Sequence, residues 1–63
     1  MDKYIGRILL FEIGTGCIPP MSKCYCYAID GEHVWAVFQY PILGSEQLKL
    51  HKEVILKHAI IID

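Results

Sequence analysis

Three cysteines and three histidines are the residues of this chain that could bind a metal or act as nucleophiles. They are Cys17, Cys24, Cys26, His33, His51 and His58. Cys24 and Cys26 form a C-x-C pair, which on a strand directs both thiols to one face. Zinc sites use C-x2-C or H-x3-H spacings, which this sequence lacks, and no base is marked beside Cys17 to activate it. We therefore predict cysteines that pack as small buried hydrophobes, with no metal, no cofactor and no enzymatic activity.

The elements that position these residues centre on Cys24 to Tyr40, where two β-prone runs face each other across Asp30-Gly31. Asp-Gly between apolar, aromatic and β-branched residues predicts a β-hairpin, because the tight turn needs the positive φ that glycine adopts freely. Loop length then decides which side chains share a face. A two-residue loop at Asp30-Gly31 mixes polar and apolar side chains on both faces. An odd loop with Gly31 in a bulge separates them, and we favour it.

The odd loop gives the hairpin one apolar face and one aromatic face with polar tips. The apolar set is Cys24, Cys26, Val34, Ala36 and Phe38. The aromatic set is Tyr25, Tyr27, His33 and Trp35. Tyrosine and tryptophan offer a large contact area at low conformational cost, which makes the aromatic set a candidate recognition surface. A second layer of core is the alternative explanation.

Two segments precede the hairpin. Lys3–Ile13 is rich in β-branched and aromatic residues and predicts a first strand. Gly14–Lys23 has two glycines and two prolines in ten residues, which predicts a loop. Within this loop, Ile18 and Met21 flank a stiff Pro-Pro pair. Their side chains either contact a partner or cap an open end of the fold.

The tail of the chain admits two interpretations after Pro41 ends the second hairpin strand. A short helix is allowed from Glu46, with Ser45 as its N-cap. Val54–Leu56 and Ala59–Ile62 are instead typical of two strands joined at Lys57-His58. We favour the strands. They predict an all-β fold, a small SH3-like or Sm-like barrel of about five short strands, as a single domain over residues 1–63.

Composition bears on the partners of this fold. The 63 residues are 54% hydrophobic and carry a net charge of −1. This is more apolar side chain than one small core hides, so we expect association with copies of itself or with another protein. No apolar run approaches the ~18 residues of a membrane span, and the balanced charge disfavours generic binding to phosphate backbones. An odd cysteine count without a secretory signal predicts a cytoplasmic location.

One short segment of the tail resembles a known family. Leu56-Lys57-His58-Ala59-Ile60 is similar to the Tyr-Lys-His-Ala-Ile signature of the bacterial Sm-like RNA chaperones, which form hexameric rings. The resemblance implies that Lys57 and His58 line a uridine-binding pore, with Gln39 and Tyr40 as a looser match to the family's Gln-Phe pair. It covers five residues, four of them identical, and the spacing from Gln39 differs from that of the family. It does not assign the chain to the family.

The leading hypothesis is a non-enzymatic protein-interaction module, an adaptor or inhibitor of a kind that a phage could carry. Its contacts would be the aromatic set, with Ile18 and Met21 of the loop. The alternative is a binder of single-stranded RNA or DNA that stacks bases on the same aromatics and uses Lys57, His58 and Tyr40. In a third hypothesis, one face only builds a homo-oligomer and the function lies with a partner.

Overall fold

The structure, a computed structural model, describes residues 2–40, 42 and 44–63. Its elements are a 3₁₀ turn at Asp2–Tyr4, β1 (Ile8–Phe11), β2 (Ser22–Asp30), β3 (His33–Tyr40), β4 (Gly44–His51), α1 (Lys52–His58) and β5 (Ala59–Ile61). The strands form one antiparallel sheet in the order β4-β3-β2-β1-β5. The predicted mostly-β fold is confirmed at this level. The predicted strand end at Pro41 lies outside the described residues, as does Leu43.

The first strand is shorter than the predicted span Lys3–Ile13. It covers Ile8–Phe11 only, because the chain turns sharply at Gly6. This glycine has a φ of 79°, and its N–H donates to the carbonyl oxygen of Cys26 at 2.8 Å. A side chain disfavours such a φ, whereas glycine adopts it without steric cost. The apolar residues before Gly6 therefore pack against the sheet without extending it.

A structured loop joins β1 to β2, as predicted, although β2 already begins at Ser22. Two backbone hydrogen bonds of 2.8 and 2.9 Å tie Thr15 to Ile18. The Ser22 hydroxyl donates to the carbonyl oxygen of Pro19 at 2.6 Å. Gly14 packs so closely that a Cβ there would lie 2.8 Å from the Pro20 ring. The loop is held by its own contacts, so its conformation is fixed.

The central hairpin forms as predicted, but its loop is Gly31-Glu32 and matches neither loop considered from the sequence. Asp30 pairs with His33, which leaves two residues in the turn. Gly31 has a φ of 62°, and Glu32 does not have a positive φ. Positive φ at the first loop position alone is the pattern of a type II′ turn, whose twist suits a hairpin.

A β-bulge at Tyr27 restores the predicted separation of faces. Cys26 pairs with Ala36 and Ala28 pairs with Trp35, so Tyr27 is the additional residue in β2. One extra residue in a strand shifts the alternation of the residues beyond it, so the side chains there change faces. The apolar face is therefore the predicted one, and each of its members is at most 2% exposed: Cys24, Cys26, Val34, Ala36 and Phe38.

This face is the centre of the core. Leu9 and Phe11 of β1 pack on it, and the rings of Phe11 and Phe38 have centroids 5.7 Å apart. Tyr4, Ile18 and Ile55 complete the buried cluster. Full burial of one large apolar side chain contributes about 1.5–3 kcal/mol. So small a core leaves little margin of stability.

The tail differs from its predicted form. Gly44–His51 is a strand that the sequence did not predict, and Val54–Leu56, predicted as a strand, lies in α1. The predicted strand at Ala59–Ile62 is confirmed over Ala59–Ile61. The N-cap of α1 is His51, whose Nδ1 accepts a hydrogen bond from the Glu53 backbone N–H at 3.1 Å.

Burial explains why the β-branched run of the tail becomes helical. Ile55 is fully buried, whereas its neighbour Leu56 is 53% exposed. The helix α1 puts Ile55 into the core between β4 and β5, the two edges of the sheet. Strand propensities span only about 1 kcal/mol, which is less than this burial contributes.

Candidate functional site

The outer face, the side of the sheet turned away from the core, carries most of the side chains that could meet a partner. The strand register places these residues on it: Ile8, Leu10, Lys23, Tyr25, Ala28, His33, Trp35, Val37, Gln39, Ser45, Gln47, Lys49, His51 and Ile60. The bulge residue Tyr27 joins them through its hydrogen bond with Gln47. All four residues of the predicted aromatic set lie on this face. The structure therefore brings them together with apolar residues from β1, β3 and β5.

A shallow depression lies at the middle of the outer face. Ile8, Tyr25 and Val37 are directly paired neighbours across β1, β2 and β3, and they form its apolar floor. Lys23 and Gln39 line its rim, and its volume is about 440 Å³. Tyr25 is 44% exposed. This is a concave apolar surface with polar groups at its edge, which is typical of a contact site.

Polar partners hold two of the aromatic side chains beside this depression. Gln47 donates a hydrogen bond to the hydroxyl of Tyr27. The ammonium of Lys49 lies 5.7 Å from the centroid of the Trp35 ring and 3.1 Å from a carboxylate oxygen of Asp30. A cation over an aromatic face is attracted by its quadrupole. These contacts hold the aromatic rings in place before any partner binds.

His33 and His51 stand at the turn end of the outer face. They pair directly across β3 and β4, and their rings meet edge to face with centroids 5.3 Å apart. Because Nδ1 of His51 accepts the helix-capping hydrogen bond, its role is structural. Beside them, a hydrogen bond and the positive charge of Lys52, 2.8 Å away, lower the pKa of Glu32.

The two loop residues predicted to contact a partner have different surroundings. Ile18 is buried in the core, as the capping alternative requires. Met21 is 62% exposed and has a φ of 61°, which side chains rarely adopt. Pro19 and Pro20 beside it are exposed as well. The loop therefore presents an apolar tip that is anchored by Ile18.

The cysteines are all free thiols, and they lie in two different environments. Cys24 and Cys26 are buried, as predicted, whereas Cys17 is exposed and corrects the prediction that all three pack inside. A hydrogen bond to Cys26, together with burial, raises the pKa of Cys24 above the ordinary thiol value. Across residues 2–40, 42 and 44–63, no three metal-ligating side chains gather into a site.

The residues of the nucleic-acid alternative do not form one surface. Lys57 and His58 end α1 and line a groove of about 200 Å³ with Glu12 and Ile60. Trp35 lies at the opposite end of the sheet, since it pairs near the hairpin turn.

Tyr40 is half-buried on the core side, where it stacks on Phe38 with ring centroids 6.2 Å apart. Burial, with the charge of Glu46 nearby, raises the pKa of Tyr40. One face of the Tyr40 ring is therefore covered, so this residue is poorly placed for base stacking.

Several outer-face residues were not predicted. Gln47 and Lys49 were not predicted to lie on this face because β4 was not predicted as a strand. The sequence of β4, GSEQLKLH, has no clear strand signal. Val37 could have been found, because its parity in the hairpin is that of Trp35. Ile8 needed the pairing of β1 with β2, which the sequence does not determine.

Comparison of this chain with known protein-family models, curated proteins and solved structures finds no match. Among the described residues, no helix has the length and hydropathy needed to cross a membrane.

Proposed function

We propose that this chain is a non-enzymatic protein-interaction module, an adaptor or inhibitor, that binds a partner through the outer face. The observation that carries the proposal is the central depression. Ile8, Tyr25 and Val37 keep apolar surface open to solvent at the middle of the sheet, with Lys23 and Gln39 at the rim. Aromatic anchors at the centre of a contact surface supply most of the binding energy in protein interfaces.

The proposal includes the finer features of the fold. In it the chain is a small SH3-like barrel, in which α1 bridges the edge strands β4 and β5. The chain works in the cytoplasm, where its three free thiols stay reduced. The rigid sheet presents the anchors, and the exposed Met21 tip adds a second contact.

Affinity capture with paired variants tests this proposal. Tyr25→Lys places a charge at the centre of the outer face, whereas Leu56→Lys places the same charge on the exposed side of α1. We expect the wild type and Leu56→Lys to retain the same protein partner and Tyr25→Lys to lose at least nine-tenths of it. Both variants must match the wild type in circular dichroism. Equal retention by Tyr25→Lys would contradict the proposed surface.

Salt and one further substitution separate this function from nucleic-acid binding. A partner held by apolar burial survives an increase from about 0.05 to about 0.5 M salt, whereas binding to phosphates falls steeply. Trp35→Ala is expected to weaken either interaction, but Lys57→Ala only the second. Nuclease-sensitive binding that needs Lys57 would favour the nucleic-acid alternative.

A further inference from the structure

β4 is an edge strand, and half of its backbone groups have no partner in the sheet. The order of strands gives it one neighbour, β3. The Lys52 N–H donates to the Glu32 carbonyl oxygen at 2.9 Å, which identifies a hydrogen-bonded pair at the end of the β3–β4 ladder. Such pairs alternate along antiparallel strands. In β4 the even-numbered residues therefore bond to β3, and the odd-numbered ones point outward.

The outward groups form a row along the free edge. The row consists of the backbone N–H and C=O groups of Ser45, Gln47 and Lys49, together with the N–H of His51. Within the described ranges, no backbone hydrogen bond outside the β3–β4 ladder reaches Ser45, Gln47 or Lys49. Six of the eight residues of β4 are exposed, and the four outward ones, Ser45, Gln47, Lys49 and His51, are among them. A long open edge of this kind is a template for pairing with another strand.

The same strand is self-complementary in one antiparallel register. Residues whose backbone groups point outward must pair with outward residues of the second copy. The register centred on Leu48 therefore pairs Gln47 of each copy with Lys49 of the other. It also pairs Ser45 with His51 of the second copy, whose N–H donates to the Ser45 carbonyl oxygen. Every group of the row except the Ser45 N–H thus gains a partner from the row. No like charges stand directly opposite in this register. Centring on Lys49 instead would oppose two ammonium groups, which is unfavourable.

Side chains on the core side favour the same register. Leu48 and Leu50 pack against the core but remain partly exposed, because the sheet ends at β4. With Leu48 on the two-fold axis, the two Leu48 side chains cover each other. Leu50 meets the aliphatic part of Glu46 of the second copy. Pairing therefore buries apolar surface that the single chain leaves open.

We infer that two copies of this chain form a dimer by antiparallel pairing of their β4 edges about a two-fold axis at Leu48. The two sheets become one continuous sheet, and both outer faces lie on the same side of it. The edge is separate from the outer-face depression, so this inference does not rest on the proposed function.

Cysteine cross-linking tests the register. In a Cys17→Ser background, Leu48→Cys places two thiols opposite each other on the axis, at a non-hydrogen-bonded pair where side chains are closest. We expect mild oxidation to convert most of this variant to a covalent dimer. Glu46→Cys and Leu50→Cys are the controls. In this register position 46 of one copy faces position 50 of the other, so neither cysteine alone faces a second cysteine. Each should stay uncross-linked, whereas an equal mixture of the two should form the mixed dimer.

Backbone substitution tests the edge without relying on thiols. The Gln47 N–H points outward, so Gln47→Pro removes no backbone hydrogen bond within the chain and loses only the side-chain hydrogen bond to Tyr27. Gln47→Ala is the matched control, because it loses the same side chain but keeps the N–H. By light scattering we expect dimers for the wild type and for Gln47→Ala. We expect at least a tenfold higher dissociation constant for Gln47→Pro, with an unchanged circular dichroism spectrum.

Three results would overturn the inference. The first is a wild-type chain that stays monomeric at about 1 mM. The second is a dimer in which Leu48→Cys does not cross-link, which would place the interface elsewhere. The third is a monomer whose β4 edge is protected from hydrogen exchange only when an extended peptide from another protein is added.

Discussion

Met21 combines backbone strain with exposure: its φ is 61° and its side chain is 62% exposed. A residue with a side chain in the left-handed region costs about 1–2 kcal/mol, and such strain concentrates at functional positions. Buried Ile18 and the Ser22–Pro19 hydrogen bond hold the loop that imposes this conformation. The strain therefore orders an apolar tip at the surface.

Replacing Met21 by glycine should stabilise the chain. Glycine removes the strain but adds unfolded-state entropy, so the expected gain is about 0.5 kcal/mol in the free energy of unfolding. Met21→Ala, which keeps the strain, should lie within about 0.5 kcal/mol of the wild type because the side chain is exposed. Urea unfolding measures both. If Met21→Gly is clearly less stable than Met21→Ala, the positive φ is not a source of strain.

Thiol reactivity should follow burial. At pH 7–8, iodoacetamide should alkylate the exposed Cys17 rapidly in the folded chain, whereas Cys24 and Cys26 react only after unfolding. The raised pKa of Cys24 keeps its thiol protonated and adds to this protection. Mass spectrometry before and after addition of urea gives the number of adducts. Rapid modification of Cys24 in the folded chain would contradict the buried placement of β2.

At the scale of elements, α1 is held by a single fully buried side chain. Shortening Ile55 to valine deletes one buried methyl group, which should cost about 0.5–1.5 kcal/mol. Leu56→Val, on the exposed side of the same helix, should cost less than about 0.5 kcal/mol. Urea denaturation of the two variants compares them directly. Equal losses would contradict the burial of Ile55 and the exposure of Leu56.

The loop between β1 and β2 depends on close packing at Gly14. An alanine Cβ would lie 2.8 Å from both the Ile18 carbonyl oxygen and the Pro20 ring, so Gly14→Ala should destabilise the chain by about 1–3 kcal/mol. Ser45→Ala is the control, because Ser45 is exposed and lies far along the chain. Thermal unfolding followed by circular dichroism measures both. A neutral Gly14→Ala would mean that the loop is free to shift.

At the scale of the whole molecule, a core of this size and the proposed pairing of β4 edges predict that stability depends on association. A ligand or subunit that binds only the folded state stabilises it by mass action. The urea midpoint of the wild type should therefore rise with chain concentration, and that of Gln47→Pro should not. A midpoint that is independent of concentration in both would contradict a folded dimer.

The sequence by itself determined the centre of the molecule. Alternation in Cys24–Phe38 identified the buried and aromatic faces, because the period of a strand is two and one face must exclude water. The two flanking glycines and the prolines marked the loop before β2. Burial of Cys24 and Cys26 followed from the same alternation, since a thiol without a ligand partner packs as a small hydrophobe.

Only the tertiary structure decided the rest, because the deciding contacts are distant in sequence. The bulge at Tyr27, and not an odd hairpin loop, separates the two faces, and no local feature of the sequence predicts a bulge there. The helical form of Lys52–His58 depends on a place for Ile55 in a core built by β1 to β3. The strand β4 depends on the open side of β3, since its own residues are polar and weak in strand propensity. The free edge of β4, and the parts of the outer face that β1 and β4 supply, therefore came only from the assembled sheet, because pairing across strands is a property of the whole sheet.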